Sequence, residues 1–407
     1  MKILRIIARL NVGGPARHVV WLTDELQDAE FQSVLVAGTV PDGEEDMSYL
    51  AGERGVKPVY IEEMSRELSL KDAISLFKIY RQMKRERPDI VHTHTAKAGT
   101  VGRSAAFLYR WMTWKTLAGH PRRVRIVHTF HGHVFHSYYG NLKTKIFLAI
   151  EKTLARFATD TIITISPQQR KEIADDFRVG KAGQFEIIPL GIDLEPFAAP
   201  ETVRTALRRE VNVGDDELLI GFIGRLTEIK NVSLLLKVAE LYKNSNADLP
   251  RLQFVITGDG HLRQSLEDEA EELGIGGIVT FLGNRTDTQI VYAGLDVIAL
   301  TSFNEGTPLS LIEAMASKRP VISTAVGGVA DLLGEVEEKH DGFDVCERGI
   351  SVADRSAASF FNGLMYLAKN EKLREHLSTS GYEFVQSKYS KERLVSDIKS
   401  LYRRLMQ

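Results

Sequence analysis

The chain has 407 residues, 43% of them hydrophobic and 26% charged, which suits two globular domains or three small ones and excludes disordered and collagen-like chains. Its single cysteine, Cys346, excludes an internal disulfide and any cysteine-built zinc site and points to a reducing compartment. The formal net charge of −2 argues against bulk nucleic-acid binding. No apolar run reaches the roughly 18 residues of a membrane span, and the opening MKILRIIARLNVGG is too soon interrupted for a signal peptide, so a cytoplasmic protein is expected.

Taken in chain order, short β-branched apolar runs alternate with helical patterns. Strands are expected at residues 3–7, 33–37, 90–94, 125–129, 161–165 and 185–188, then at 218–223, 253–257, 279–282, 297–300 and 321–324. Between them, segments such as 70–87 and 233–244 carry apolar residues at helical spacing. This alternation predicts α/β domains with parallel sheets covered on both faces. Two series of strands predict two doubly wound, Rossmann-like domains. The turn-rich stretch Pro189-Leu190-Gly191-Ile192-Asp193, followed by Pro196 and Pro200, marks the seam. We therefore expect an N-terminal domain over residues 1–195 and a C-terminal domain over 196–387. A final amphipathic helix within 388–407 is expected to pack back on the first domain. Ligands of such sheets bind at the carboxyl ends of the strands, so a site is expected in the loops there, in a cleft between two facing domains.

The near-neutral average conceals a split. Residues 1–195 hold 28 Lys/Arg against 23 Asp/Glu, a net of +5, while residues 196–407 hold 24 against 31, a net of −7. Seven basic residues (Lys97, Arg103, Arg110, Lys115, Arg122, Arg123 and Arg125) and no acid lie within residues 97–125, interleaved with Phe107, Tyr109, Trp111, Met112, Trp114 and Leu117. Such a stretch reads either as an interfacial helix on anionic lipid or as an ordinary solvated basic surface.

The strand-end loops carry the chemistry. Asn11-Val12-Gly13-Gly14 opens a helix, where paired glycines let backbone N–H groups approach an anion, although a plain tight turn would look the same. His92 and His94 share a strand face, and His128-Thr129-Phe130-His131-Gly132-His133-Val134-Phe135-His136 follows the next strand. No Asp or Glu lies within these clusters, so a hydrolytic metal centre is not expected; hydrogen bonding to substrate and structural packing remain open. In the second half, Gly224-Arg225-Leu226-Thr227-Glu228-Ile229-Lys230-Asn231 places two cations at a strand end, which suits a diphosphate.

The stretch Glu305-Gly306-Thr307-Pro308-Leu309-Ser310-Leu311-Ile312-Glu313 is the most specific. With Thr307 as N-cap and Pro308 as first helical residue, the N–H groups of Leu309 and Ser310 point out of the helix end toward a phosphate. Glu313 lies one turn deeper on the same face, placed for a ribose diol, and Glu305 stays in the loop. Two carboxylates beside a diphosphate need cations, and Arg225 and Lys230 supply them.

In that order, with Gly258-Asp259-Gly260, Phe281-Leu282-Gly283, Pro320-Val321-Ile322 and Gly327-Gly328, these motifs resemble the retaining glycosyltransferases of family 4, group 1 type, close to those of bacterial polysaccharide or glycolipid assembly. The resemblance covers nearly the whole chain and implies the GT-B architecture, two facing Rossmann-like domains with the donor side in the second. It implies that Arg225 and Lys230 bind the diphosphate of a nucleotide-sugar, with UDP expected, and that Glu313 holds the ribose. Glu305, with the backbone of Gly306 and Thr307, would hold sugar hydroxyls, and His131 would line the sugar near its anomeric carbon. The Gly13-Gly14 loop would close over phosphates or acceptor, and backbone near Asn284 and Arg285 would read the base. Thr307-Pro308 stands where the family often has Phe-Gly, and Ser317-Lys318-Arg319 precedes Pro320 where a glycine is usual. No Asp-x-Asp triplet occurs, so neither metal nor cofactor is expected. The implied reaction moves a hexose or N-acetylhexosamine to a hydroxyl of a glycan or lipid-linked acceptor, with the departing phosphate taking the acceptor proton. The basic stretch would then hold the protein peripherally on the inner face of the cytoplasmic membrane. A UDP-sugar 2-epimerase and a catalytically inactive scaffold are the competing readings. A nicotinamide dehydrogenase lacks its glycine fingerprint.

Overall fold

The computed structural model describes residues 1–11, 14–40, 46–64, 71–131, 141–198, 201–245 and 248–407. The chain divides into two compact units, residues 1–191 with 392–407, and residues 192–391.

The first unit is built on a seven-stranded parallel sheet of β1 (Lys2–Arg9), β2 (Gln32–Gly38), β3 (Val59–Tyr60), β4 (Ile90–His94), β5 (Arg125–Thr129), β6 (Thr161–Thr164) and β7 (Phe185–Ile187), in the order β3-β2-β1-β4-β5-β6-β7. Its central strands are covered on both faces, which is why β1 reads as a nearly continuous apolar run. On one face, Leu4, Ile6 and Val91 meet Ile79 and Met83 of the helix Lys71–Glu86 and Val101 and Ala105 of the helix Ala96–Trp111. On the other, Ile3, Ile90 and Val127 meet Trp21 and Leu22 of the helix Gly14–Glu25. Leu394, Ile398, Leu401 and Tyr402 complete that cluster from the helix Lys391–Met406, a stripe at helical spacing that returns from the far end of the chain.

The second unit carries an eight-stranded sheet of β8 (Leu218–Ile223), β9 (Leu252–Thr257), β10 (Val279–Gly283), β11 (Val297–Leu300), β12 (Val321–Thr324), β13 (Val336–Lys339), β14 (Asp344–Cys346) and β15 (Gly349–Val352), ordered β10-β9-β8-β11-β12-β15-β14-β13. The first six in that order run parallel, and β14 and β13 extend the edge as an antiparallel pair. In each sheet the strand order reverses once near the middle, between β1 and β4 and between β8 and β11. A doubly wound sheet binds ligands at the carboxyl end of that point.

The sequence places the seams at 195 and 387; the units divide after Gly191 and after Lys391. The divisions are stitched from both sides. Ile192 N–H donates to Tyr389 O at 2.8 Å, and Arg393 donates to the carbonyls of Pro189 and Leu190 at 2.9 and 2.5 Å. Among the described residues no helix is long and apolar enough to cross a membrane.

Candidate active site

In the first unit the carboxyl ends of β1, β4 and β5 gather histidines. His94 ends β4, His131 lies two residues beyond β5, and His18 projects from the helix that follows β1. His94 and His131 stack with ring centroids 5.2 Å apart and share a hydrogen bond of 2.9 Å between Nδ1 and Nε2. His18 meets both edgewise, 4.8 Å from His131 and 5.7 Å from His94. Both nitrogens of His18, Nε2 of His94 and Nδ1 of His131 are buried without a hydrogen-bond partner among the described residues. Burial holds His18 and His94 neutral well below the ordinary imidazole range, helped by neighbouring positive charge, and holds His131 down at about 4. Next to His94, Thr95 takes a φ of 69°, uncommon for a β-branched residue, and its buried hydroxyl has no partner.

The other histidines divide. His92 is structural, with Nδ1 bonded to Tyr402 Oη at 2.7 Å and Nε2 to Thr129 Oγ1 at 2.7 Å. His128 is held through Nδ1 by Thr93 Oγ1 at 2.8 Å and stands edge-on to Phe130. Gly14 begins the helix behind the first loop. Gly13, His133 and His136 lie outside the described residues.

Five of the seven basic residues within residues 97–125 have partners in the structure. Lys97 is buried against Asp72 at 2.5 Å, Arg103 is fully buried against both oxygens of Glu151 at 2.6 and 2.7 Å, and Arg110 pairs with Asp160. Arg122 donates to Tyr109 O at 2.5 Å and covers its ring, and Arg125 donates to Leu405 O at 2.7 Å. The acids that complete these cations come from elsewhere in the chain, beyond the reach of local charge counting. Exposed at the end of the stretch are the apolar Trp111, Met112, Trp114 (88% exposed) and Leu117 (82% exposed), together with Lys115 and Arg123.

In the second unit the loop after β8 carries Arg225, exposed and without a side-chain partner among the described residues. Lys230 ends the short turn Glu228–Lys230, and Asn231 then takes a left-handed φ of 47° before the helix Val232–Lys243. That turn is fastened to the loop after β11 by Thr301 Oγ1 on Lys230 O at 3.0 Å and Phe303 N–H on Ile229 O at 2.8 Å. Lys230 Nζ thereby reaches Glu305 Oε1 at 2.5 Å, and Ser302 Oγ donates to the same oxygen at 2.6 Å.

The motif loop rests on two glycines. A Cβ at Gly327, where φ is 50°, would stand 2.0 Å from Glu305 O, and one at Gly328 would stand 1.9 Å from Gly306 O. Thr307 is not the N-cap, and Pro308 is not the first helical residue. The helix is Leu309–Ala316, with Pro308 at its cap in an extended conformation (ψ 113°) and its carbonyl accepting from Ile312 N–H at 3.4 Å. A cap position needs no N–H, so proline fits there equally well. The consequence is a longer cradle than expected. The N–H groups of Gly306, Thr307, Leu309 and Ser310 make no hydrogen bond among the described residues, and Thr307 Oγ1 is buried without a partner. Partnerless donors at a helix start form an anion site.

Glu313 receives a hydrogen bond from Tyr292 Oη at 2.9 Å. Sequence reasoning missed Tyr292; it precedes the motif by a whole strand, and no local pattern links the two. Its phenol is pushed well above the ordinary range by burial and then by Glu313, so it stays a donor. The Arg285 side chain is committed to Asp287 (2.8 Å twice) and Glu210 (2.5 Å), which leaves only backbone there to meet a ligand.

Comparison with known proteins agrees with this arrangement. The family model for Glycosyltransferase Family 4 matches residues 12–196, and that for Glycosyl transferases group 1 matches residues 203–384. The UDP-Gal:alpha-D-GlcNAc-diphosphoundecaprenol alpha-1,3-galactosyltransferase of Escherichia coli is 28% identical over 377 residues, covering 89% of this chain and 90% of that protein. The D-inositol 3-phosphate glycosyltransferase of Stackebrandtia nassauensis is 32% identical over 185 residues, 44% of this chain and 41% of that protein. Among solved structures, Anabaena HepE in complex with UDP superposes with a TM-score of 0.80 at 18% identity, covering 99% of this chain and 100% of that one. Sucrose-phosphate synthase from Thermosynechococcus elongatus gives 0.73 at 21% identity, covering 100% and 99%. At such identities these two structures speak for the fold alone. Two Rossmann-like units of this kind are the GT-B architecture of glycosyltransferases. The chain belongs to the glycosyltransferases of family 4, group 1 type.

Proposed function

We propose that this glycosyltransferase moves a hexose or N-acetylhexosamine from a UDP-sugar to a hydroxyl of a glycan or lipid-linked acceptor, with retention at the anomeric carbon and without a metal on the diphosphate. The observation that carries the reading is that, among the described residues, the N–H groups of Gly306, Thr307, Leu309 and Ser310 and the side chain of Arg225, on the loop after the neighbouring strand β8, have no partner. Negative charge grows on the leaving diphosphate as the glycosidic bond breaks. Donors already fixed around that position stabilise the transition state more than the ground state. Arg225 supplies a planar fork for two oxygens and Lys230 a point charge. Glu305, released as Lys230 turns to phosphate, accepts from sugar hydroxyls, and Glu313 accepts from the ribose. Asn284 and Arg285 read the base through backbone groups, and the Gly13-Gly14 loop closes over phosphate or acceptor. His131, neutral at physiological pH, hydrogen-bonds the sugar and is not a nucleophile. The departing phosphate takes the proton of the incoming hydroxyl. The name of the Escherichia coli relative, a UDP-Gal:alpha-D-GlcNAc-diphosphoundecaprenol galactosyltransferase, supports a UDP donor and a diphosphate-linked lipid acceptor.

We further propose that the exposed Trp111, Met112, Trp114 and Leu117, flanked by Lys115 and Arg123, rest on an anionic membrane surface. This narrows the membrane contact from the whole of residues 97–125 to its apolar end.

The test is transfer in EDTA from a panel of UDP-sugars to short glycan and lipid-diphosphate glycan acceptors, with the new linkage read by proton NMR. The reading predicts UDP release that depends on acceptor, and an anomeric configuration equal to that of the donor. Inverted product, dependence on added metal, or free sugar with C2 hydrogen exchange would overturn it.

A further inference from the structure

Among the described residues, His18, His94 and His131 are the one group of three metal-ligating side chains whose ligand atoms lie within 4.8 Å of one another. They come from three different elements at the carboxyl edge of the first sheet, so the fold, rather than a local turn, brings them together. Their hydrogen bonding sets them apart from an ordinary packed histidine. Buried polar atoms normally find partners, yet four ring nitrogens here have none among the described residues. His92, two residues before His94 on the same strand, is by contrast anchored through both ring nitrogens, by Tyr402 and Thr129.

We propose that His18, His94 and His131 form a three-nitrogen site for a borderline divalent cation, Zn²⁺ foremost. Imidazole sets without carboxylate favour zinc, copper, nickel and cobalt over magnesium, calcium and manganese. Zinc binds histidine nitrogen at about 2.0–2.1 Å, which separates the nitrogens of a tetrahedral set by about 3.4 Å. Side-chain shifts on the order of 1 Å bring the present group to that spacing, and the cation takes the place of the single proton now shared between His94 Nδ1 and His131 Nε2. That proton moves to the other nitrogen of its ring, so all three ligands bind neutral and binding releases no proton from them. The fourth position stays open for water or a ligand oxygen. The site shares His131 with the proposed sugar contact and places no metal on the donor diphosphate.

The test uses the full chain stripped of metal with EDTA and dialysed, then titrated with Zn²⁺ by calorimetry and with Co²⁺ by visible absorption. The expected result is saturable binding of one equivalent, with Co²⁺ ligand-field bands of tetrahedral intensity. Affinity should fall at least about tenfold in His18→Leu and in His94→Leu and hold in His376→Ala, an exposed histidine of the other unit. Circular dichroism and thermal melting establish that each variant is folded; if a buried position melts early, His131→Leu, at a less buried one, takes its place. Failure of the folded wild type to bind Zn²⁺, or affinity unchanged in the histidine variants, would overturn the proposal.

Discussion

Lys230 Nζ stands 2.5 Å from Glu305 Oε1, so the cation proposed for the diphosphate is held by the carboxylate proposed for the sugar. A diphosphate that draws Lys230 away leaves Ser302 still donating to Glu305 Oε1 at 2.6 Å and frees the carboxylate of its cation. Binding of the two halves of a nucleotide-sugar is thereby coupled through one ion pair. Lys230→Ala should weaken nucleotide binding and lower kcat/KM by about 10²–10³-fold. Glu305→Gln should leave nucleotide affinity near wild type while lowering turnover. Nucleotide titrations alongside steady-state kinetics check both; equal losses in the two variants would contradict the coupling.

Arg225 is exposed and has no side-chain partner among the described residues, so its removal orphans none of them. Arg225→Ala should keep the wild-type melting temperature and lose about 10²–10³-fold in kcat. Arg225→Lys should recover little, because a point charge does not reproduce the two-pronged fork. Full activity in the lysine variant would show that charge alone matters.

Tyr292 holds Glu313 at 2.9 Å from a buried position. A hydrogen bond to a charged group contributes about 1.5–3 kcal/mol, so Tyr292→Phe should raise the Kd for UDP by on the order of 10-fold or more. Turnover at saturating donor should change little. The penalty should shrink with a nucleotide that lacks ribose hydroxyls, and a merely structural tyrosine would give the same penalty with both.

His18, His92, His94 and His128 are all held neutral well below 6.5 by burial, and His131 down at about 4. The unfolded chain binds protons near pH 6.5 that the folded chain refuses until pH falls much lower. Stability is therefore full above about 6.5 and is lost as pH drops toward 4. Urea midpoints measured at pH 7.5 and 5 should fall toward acid. Equal midpoints would mean that these rings are protonated in the native state.

Trp114→Ser with Leu117→Ser removes two strongly exposed apolar side chains. Such surface changes usually alter stability by less than about 0.5 kcal/mol. Co-sedimentation with anionic vesicles should be lost while the melting temperature holds. Unchanged sedimentation would remove the membrane proposal.

Much of the fold is legible in the sequence because parallel strands covered on both faces leave dense apolar runs; the strands at residues 90–94, 125–129, 218–223, 297–300 and 321–324 fall where those runs lie. The β13–β14 pair is not legible. Val336–Lys339 is an exposed edge strand rich in charge, with no face to bury and hence no alternation. At the candidate site, residue types and strand-end positions are readable, and partnership is not. That Lys97 and Arg103 are buried ion pairs depends on Asp72 and Glu151, far along the chain, and His18 joins His94 and His131 only through the packing of a helix on its sheet. The cap at Pro308 rather than Thr307 turns on one ψ angle that two good capping residues leave open.

The most direct test of the diphosphate site is a thermal-shift panel of UDP, GDP and ADP in EDTA, on the wild type and Arg225→Ala. A ligand at about 100 times its Kd stabilises a protein by about 2.7 kcal/mol, enough for a clear rise in melting temperature. The account predicts a rise with UDP, smaller or absent with the other two, and lost in Arg225→Ala. No rise with any nucleotide, or a rise that survives in Arg225→Ala, would contradict it.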